Sequence, residues 1–181
     1  RVMVRDFYGT LRTKDTGPET SEDAVRRLIH GVILHGEQYL KPERRTEPTT
    51  YYGPDSGVAL ALRNISPGPQ RVGVIGLGTG TLAVWGKAGD TYRFYDINPH
   101  VIEVAQSEFT YLRDSKAKIE VSLGDARLNL EREAPQVLRC VLLFSHGCQG
   151  TGRGFGRGAA SAAQDHRQPD QHLFHKPLPT L

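Results

Sequence analysis

Residues 72–81 read VGVIGLGTGT, an apolar run that leads directly into a turn with glycine at positions 76, 78 and 80. The apolar run predicts a buried strand, and the LAVWGK that follows predicts a short helix. In this turn Gly76, Gly78 and Gly80 permit positive φ and let backbone N–H groups approach a ligand, while the helix presents its positive end. The segment therefore predicts an α/β unit with a binding loop between strand and helix.

The alternation of strands and helices continues downstream of the turn. Strands are predicted in TYRFYDI (91–97) and KIEVSL (118–123), a helix in PHVIEVAQSEF (99–109), and a fourth strand in VLRCVLLF (137–144). Such an order forms a parallel sheet, whose right-handed crossovers place every carboxyl end at one edge. Ligands bind at that edge in open α/β sheets, so we expect the functional site there.

Two acids stand at the ends of predicted strands on this edge. Asp96 lies 20 residues after Gly76, where a carboxylate can accept hydrogen bonds from both hydroxyls of a ribose. Asp125 closes the third strand, where it could accept a hydrogen bond from an adenine amino group. Each acid alone could be a helix cap, and Asp125 before Ala126 is a plausible one. Together with the glycine turn they predict a nucleoside site.

The spacing of the glycines distinguishes dinucleotide sites from sites for S-adenosylmethionine. Dinucleotide folds use G-x-G-x-x-G/A, whereas here Thr81 occupies the last position and the third glycine is Gly80. The resulting G-x-G-x-G is similar to the nucleoside loop of S-adenosylmethionine-dependent enzymes, in which no pyrophosphate is bound. The alternative is that a glycine-rich turn only permits tight packing.

The residues before the turn predict a small β unit. Residues 1–15 are rich in Val, Phe and Tyr around a break at residues 8–10, which predicts a hairpin, and residues 24–40 predict further strands punctuated by Gly31 and Gly36. KPERRTEPTT (41–50) then reads as a surface loop, and DSGVALAL (55–62) as a helix capped by Asp or Ser.

Several spaced motifs follow one another over residues 1 to about 136: Phe7-Tyr8-Gly9, His30-Gly31, His35-Gly36-Glu37-Gln38, YYGPDSG, GLGTGTLA, YDINP and GDARLNLERE. In this order they resemble one family, the bacterial spermidine synthase-like aminopropyltransferases, including forms fused to a membrane transporter-like region. The resemblance implies a Rossmann-like S-adenosylmethionine-dependent transferase fold with an N-terminal β unit. It also implies transfer of an aminopropyl group from decarboxylated S-adenosylmethionine, a co-substrate and not a tightly bound cofactor, to putrescine or a related amine.

The resemblance also implies site residues and an assembly. It assigns nucleoside contacts to Gln38, Gly76, Gly78, Gly80, Asp96 and Asp125, and it places Tyr52 near the polyamine. The family more often has Glu at the position of Asp96, so the shorter side chain reaches less far. Family members often dimerise, which makes a homodimer an expected state.

The chain departs from the family after its predicted fourth strand, where the family carries its catalytic acids. Residues 134–164 contain no Asp or Glu, and residues 146–181 are rich in Gly, Arg and His without a hydrophobic period. We hypothesise a change of reading frame near Gln136, which would leave an incomplete, inactive enzyme. The expected organisation is a β unit (1–50), an incomplete nucleoside-binding domain (51–145) and a disordered tail (146–181).

Composition narrows the classes of protein. Residues 1–133 hold equal numbers of basic and acidic residues, so the net charge of +3 belongs to the remainder and does not predict a nucleic-acid partner for the main domain. The only cysteines, Cys140 and Cys148, offer no disulfide framework, and no run approaches the length of a membrane span. We therefore expect a cytoplasmic protein with no membrane segment.

Other readings stay open at this point. The same loop and acids would suit an S-adenosylmethionine-dependent methyltransferase, or a non-catalytic nucleoside-binding remnant. RGFGRG (153–158) is typical of RNA-binding tails, a weaker alternative that a low-complexity segment explains equally well. His30 and His35 are five apart, which predicts opposite faces of one strand and no metal site.

Overall fold

The computed structural model of the chain describes residues 1–18, 20–65, 67–134, 138 and 140–143. Three expectations lie outside these residues: the disordered tail, the change of reading frame near Gln136 and the RNA-binding segment. Within the described part, a four-stranded antiparallel sheet precedes a four-stranded parallel sheet that is accompanied by helices. The chain is thus a mixed α/β protein.

The antiparallel sheet consists of β1 (Met3–Asp6), β2 (Gly9–Thr16), β3 (Val25–His30) and β4 (Ile33–Tyr39), in that spatial order. Its strands follow each other through hairpins, as the sequence predicts. Leu11 and Leu28 are 1% and 0% exposed and belong to the protein's main hydrophobic core. One face of this sheet is therefore buried against the rest of the molecule.

The parallel sheet consists of β5 (Arg71–Ile75), β6 (Thr91–Asp96), β7 (Lys118–Leu123) and β8 (Cys140–Leu143), in the order β7-β6-β5-β8. All three pairings are parallel, and all four strands were predicted from hydrophobic patterning. The order is compatible with the expected Rossmann-like arrangement.

In the described part of the chain three α-helices accompany the strands, and each begins at a side chain that caps it. They are α1 (Gly57–Arg63), α2 (Pro99–Glu108) and α3 (Ala126–Arg132), capped by Ser56, Asn98 and Asp125 respectively. Each cap oxygen accepts a hydrogen bond from a backbone N–H of the first turn. No helix in the described ranges is both long and apolar enough to cross a bilayer.

The element after the glycine turn is a short helix, as the sequence predicts, and it is of the 3-10 type. Thr81–Trp85 forms a five-residue 3-10 helix and not an α-helix. It begins after Gly80, which has a left-handed φ of +81°, and it ends at Gly86, whose backbone is extended. Since so short a helix aligns few peptide dipoles, the helix contributes little positive potential to the turn.

Two side chains join the antiparallel sheet to the carboxyl end of α2 and to the segment that follows it. Tyr111 is 1% exposed, and its hydroxyl shares its one hydrogen between the carbonyl oxygens of Glu37, at 2.9 Å, and Glu47, at 3.2 Å. Arg26 donates from Nη1 to the carbonyl oxygen of Glu108 at 2.8 Å. These partly buried hydrogen bonds fix the antiparallel sheet relative to α2 and the segment after it.

The burial of Tyr111 predicts a loss of stability in alkali. Desolvation raises the pKa of Tyr111 from 10.0 to about 12. The folded state therefore holds this proton where the unfolded chain releases it, so its contribution is complete below pH 10 and is lost as the pH rises towards 12. A shift of this size corresponds to about 2–3 kcal/mol.

Tyr111→Phe should therefore flatten the dependence of unfolding free energy on pH in this window, while lowering stability at pH 7 by about 1 kcal/mol through the lost hydrogen bonds. Urea denaturation at a series of pH values measures both effects. Tyr8→Phe, the same change at an exposed residue, is the control and should leave the profile unchanged. An identical slope in Tyr111→Phe and the wild type would contradict the assignment.

Candidate functional site

The carboxyl ends of the first three parallel strands lie side by side and are hydrogen-bonded to each other. The N–H of Gly76, just after β5, donates to the carbonyl oxygen of Tyr95 at 2.8 Å. The N–H of Gly124, just after β7, donates to the carbonyl oxygen of Asp96 at 2.8 Å. The glycine turn, Asp96 and the residues around Asp125 therefore form one continuous edge.

The glycine turn adopts the backbone conformation that its sequence demands. Gly76, Gly78 and Gly80 have φ values of +93°, +56° and +81°. The turn also lies close to β4, because a Cβ on Gly78 would stand 2.9 Å from the carbonyl oxygen of His35. Glycine is thus needed here for its backbone conformation and for close packing. The packing role is the one that the alternative interpretation of the motif assigned to these glycines.

Several backbone amides of the turn already have partners inside the protein. Besides Gly76, the N–H of Gly80 donates to the carbonyl oxygen of Leu77 at 2.9 Å. The N–H of Leu77 donates to Oδ2 of Asp96 at 2.8 Å. The turn is therefore held in place by its own hydrogen bonds and by the neighbouring strand.

Asp96 links the turn to the start of α2. Its Oδ2 accepts from Leu77, and its Oδ1 accepts from the N–H of Asn98 at 3.0 Å. A carboxylate oxygen can accept two hydrogen bonds, so each oxygen has capacity for one more. The side chain is partly exposed, and two backbone donors fix its orientation. Asp96 is thus a preorganised acceptor at the edge.

Asp125 performs the capping role that the sequence allowed. Its Oδ1 accepts from the N–H of Leu128 at 3.0 Å, and the residue is exposed. Because it directly follows Gly124, it lies next to Asp96 along the edge. A contact with an adenine amino group through the remaining acceptor positions stays a prediction.

Gln38 is buried, with 4% exposure, and its amide is engaged within the protein. Nε2 donates to the carbonyl oxygen of Arg45 and to Oγ1 of Thr110, both at 2.9 Å, and Oε1 accepts from the N–H of Thr110 at 3.0 Å. Both amide hydrogens are therefore used, and a donor contact to a nucleoside would require one of these bonds to break. In this structure Gln38 links β4 to the segment after α2.

Tyr52 lies in the 3-10 turn Thr50–Tyr52 and packs against the hydrophobic core. Its carbonyl oxygen accepts a hydrogen bond from the indole N–H of Trp85 at 3.1 Å, and burial raises the pKa of its hydroxyl well above the usual range. The residue therefore stays neutral at physiological pH. Its expected position beside an amine stays a prediction.

A cavity of about 510 Å³ separates the antiparallel sheet from the edge of the parallel sheet. Of the sequence-predicted residues, Gly78 and Asp96 line it, whereas Gln38, Tyr52, Gly76, Gly80 and Asp125 do not. Its other lining residues are Tyr8, Gly9, Leu11, Leu28, His30, Gly31, Val32, Ile33, His35, Ile97, Asn98 and Val101. A volume of this size is typical of sites for small molecules.

The placement of His30 and His35 corrects the sequence interpretation. The two residues do not share a strand, because the turn at Gly31 puts them on β3 and β4, and their rings lie 5.4 Å apart at the cavity. His30 Nε2 lies 2.7 Å from the carbonyl oxygen of Tyr8. Among the residues that the structure describes, no cluster of three or more His, Cys, Asp or Glu could hold a metal ion.

Sequence reasoning missed the contribution of the antiparallel sheet to the cavity wall, including His30, His35 and Tyr8, and it missed Asn98. The pattern of alternating residues identifies the buried face of a sheet but not what that face covers. Asn98 carried a signal, since Asn before Pro at a helix start marks a cap.

Comparison of the sequence with models of known protein families finds no match, and comparison with curated proteins finds none either.

Proposed function

We propose that the chain binds an S-adenosyl-type nucleoside in the cavity between its two sheets, as the nucleoside-binding part of a spermidine synthase-like aminopropyltransferase with a Rossmann-like fold. The strand order supports this proposal. Because β5 lies between β6 and β8, the placement of successive strands reverses direction beside the glycine turn. Ligands of open α/β sheets bind outside the carboxyl ends at such a reversal.

The observation that carries the proposal is the position of Asp96. Its carboxylate is anchored to the N–H of Leu77 inside the glycine turn, and it lines the cavity. A carboxylate held next to such a turn suits a ligand that carries neighbouring hydroxyl groups, since each oxygen can accept one further hydrogen bond. The antiparallel sheet supplies an apolar and aromatic wall for the rest of the ligand.

The proposed transfer is a displacement at a carbon next to a sulfonium. A neutral amine attacks that carbon, the carbon–sulfur bond breaks, methylthioadenosine leaves and the amine loses a proton. The reaction needs carboxylates that bind a cationic substrate and accept this proton. Among the described residues that line the cavity, Asp96 is the single carboxylate, and residues 134–164 contain no Asp or Glu. We therefore propose that this chain binds the nucleoside without completing the transfer.

Titration calorimetry on the full chain tests the proposal. Methylthioadenosine and decarboxylated S-adenosylmethionine should bind saturably, with a Kd below about 1 mM. NAD should bind at least about tenfold more weakly, because the turn lacks the spacing of dinucleotide folds. Incubation with putrescine should yield no spermidine.

Three results would count against the proposal. Absence of nucleoside binding would remove it, and stronger binding of NAD would indicate a dinucleotide site instead. Stronger binding of S-adenosylmethionine than of its decarboxylated form would favour a methyltransferase.

A further inference from the structure

We infer that the side-chain amide of Asn98 donates a hydrogen bond to a sugar hydroxyl oxygen of the bound ligand, and so fixes which end of the ligand occupies this part of the cavity. The inference rests on the proposed function. It concerns a residue that the sequence marks only as a helix cap.

The first observation is that Asn98 has a buried amide with an unused donor group. The residue is 3% exposed, and its Oδ1 accepts from the N–H of His100 at 2.9 Å. Within the part of the chain that the structure describes, its Nδ2 has no hydrogen-bond partner. Buried polar groups are nearly always hydrogen-bonded, so an acceptor is expected from a molecule that enters the site.

The second observation is that the orientation of this amide is fixed. Exchanging Oδ1 and Nδ2 would place a donor against the N–H of His100, so the hydrogen-bond network requires the oxygen on that side. Asn98 lines the same cavity as Asp96. The residue that carries the donor is therefore part of the cavity wall, with Nδ2 itself buried just beneath its surface.

Asp96 and Asn98 together define the chemistry of the group that they can bind. Asp96 accepts hydrogen bonds, and Nδ2 of Asn98 donates them. A hydroxyl group is both donor and acceptor, so neighbouring hydroxyls of a sugar satisfy both residues. An ammonium group has donors only and leaves the amide of Asn98 without an acceptor. This part of the cavity therefore favours the sugar of the nucleoside over the amine end of a polyamine.

Two substitutions at Asn98 test this inference while keeping the helix cap. Asn98→Asp and Asn98→Ser both retain an oxygen that accepts from the first turn, since Asp and Ser cap helices as well as Asn does. Both remove the amide donor, and Asn98→Ser does so without adding charge. The probes are methylthioadenosine and its 2′-deoxy and 3′-deoxy analogues, titrated into the full chain.

We expect both variants to bind methylthioadenosine about tenfold more weakly than the wild type, the difference that one hydrogen bond makes. One of the two deoxy analogues lacks the hydroxyl that accepts from Asn98. The wild type and both Asn98 variants should bind that analogue with equal affinity. Gln106→Glu makes the same change of amide to carboxylate on an exposed residue of α2 outside this cavity, and should bind like the wild type.

The outcomes separate this inference from the proposed function. If the wild type binds methylthioadenosine but both Asn98 variants bind it equally well, the amide does not contact the ligand and the inference fails alone. An equal loss for all three nucleosides also overturns it, because that result indicates a general effect on the site. If the wild type binds none of the nucleosides, both the proposed function and this inference fail.

Discussion

Asp96→Asn should weaken methylthioadenosine binding at least about hundredfold, the largest effect on binding that we expect from any substitution in the chain. The carboxylate is proposed to accept two hydroxyl hydrogens, and hydrogen bonds to a charged acceptor contribute about 1.5–3 kcal/mol each. Asparagine replaces one acceptor oxygen by an NH₂ group. That group would face the N–H of either Leu77 or Asn98, so the turn would also lose an anchor.

Asp90→Asn is a matched control for the loss of stability. Asp90 is 5% exposed, and its carboxylate also accepts from two backbone N–H groups, those of Gln70 at 2.8 Å and Lys87 at 2.9 Å. It stands just before β6, at the opposite end of the strand from Asp96. Both variants should unfold at lower urea concentrations, but only Asp96→Asn should lose the ligand when measured by calorimetry under native conditions.

Two results would contradict the role of Asp96. Retention of methylthioadenosine affinity in Asp96→Asn would remove the carboxylate from the site. A comparable loss in Asp90→Asn would show that binding reports the stability of β6 and not contact with Asp96.

Local patterning was sufficient for most of the secondary structure. The apolar run RVGVI forms β5, as its pattern predicts. This strand lies in the middle of the parallel sheet, where Val72 and Val74 are both fully buried. Asn98-Pro99 marks the start of α2, and Gly31 marks a hairpin. These signals are local, since they depend on the conformation of a few adjacent residues.

The composition of the cavity wall was not accessible to local patterning. Which strand covers the glycine turn depends on contacts between residues distant in the sequence, such as His35 with Gly78. The same limit applies to Gln38, whose hydrogen bonds reach Thr110. A motif identifies residues that can bind a ligand. Only the packing of the chain decides whether those residues are already hydrogen-bonded to another segment of the protein.

Gly36→Ala should be among the most destabilising single-methyl additions in the protein. Gly36 has a φ of +141°, a conformation that other residues rarely adopt. A Cβ there would lie 3.0 Å from Cγ2 of Thr79 and closer still to its hydroxyl oxygen. Thr79 is 1% exposed and hydrogen-bonds Thr81 at 2.8 Å, so it cannot move aside cheaply. Backbone strain and overpacking together should lower the unfolding free energy by about 2–4 kcal/mol.

Gly31→Ala separates backbone strain from overpacking within the same hairpin. Gly31 also has positive φ, at +60°, but a Cβ there would have no atom within 4 Å. Its substitution should lower the unfolding free energy by about 1 kcal/mol, because only the strain of a positive φ in a non-glycine residue applies there. Urea denaturation of both variants measures the difference in unfolding free energy. Equal losses of unfolding free energy would mean that β4 does not pack closely against the glycine turn. Since that contact brings the antiparallel sheet over the edge of the parallel sheet, Gly36→Ala should also weaken methylthioadenosine binding under native conditions, whereas Gly31→Ala should change it less.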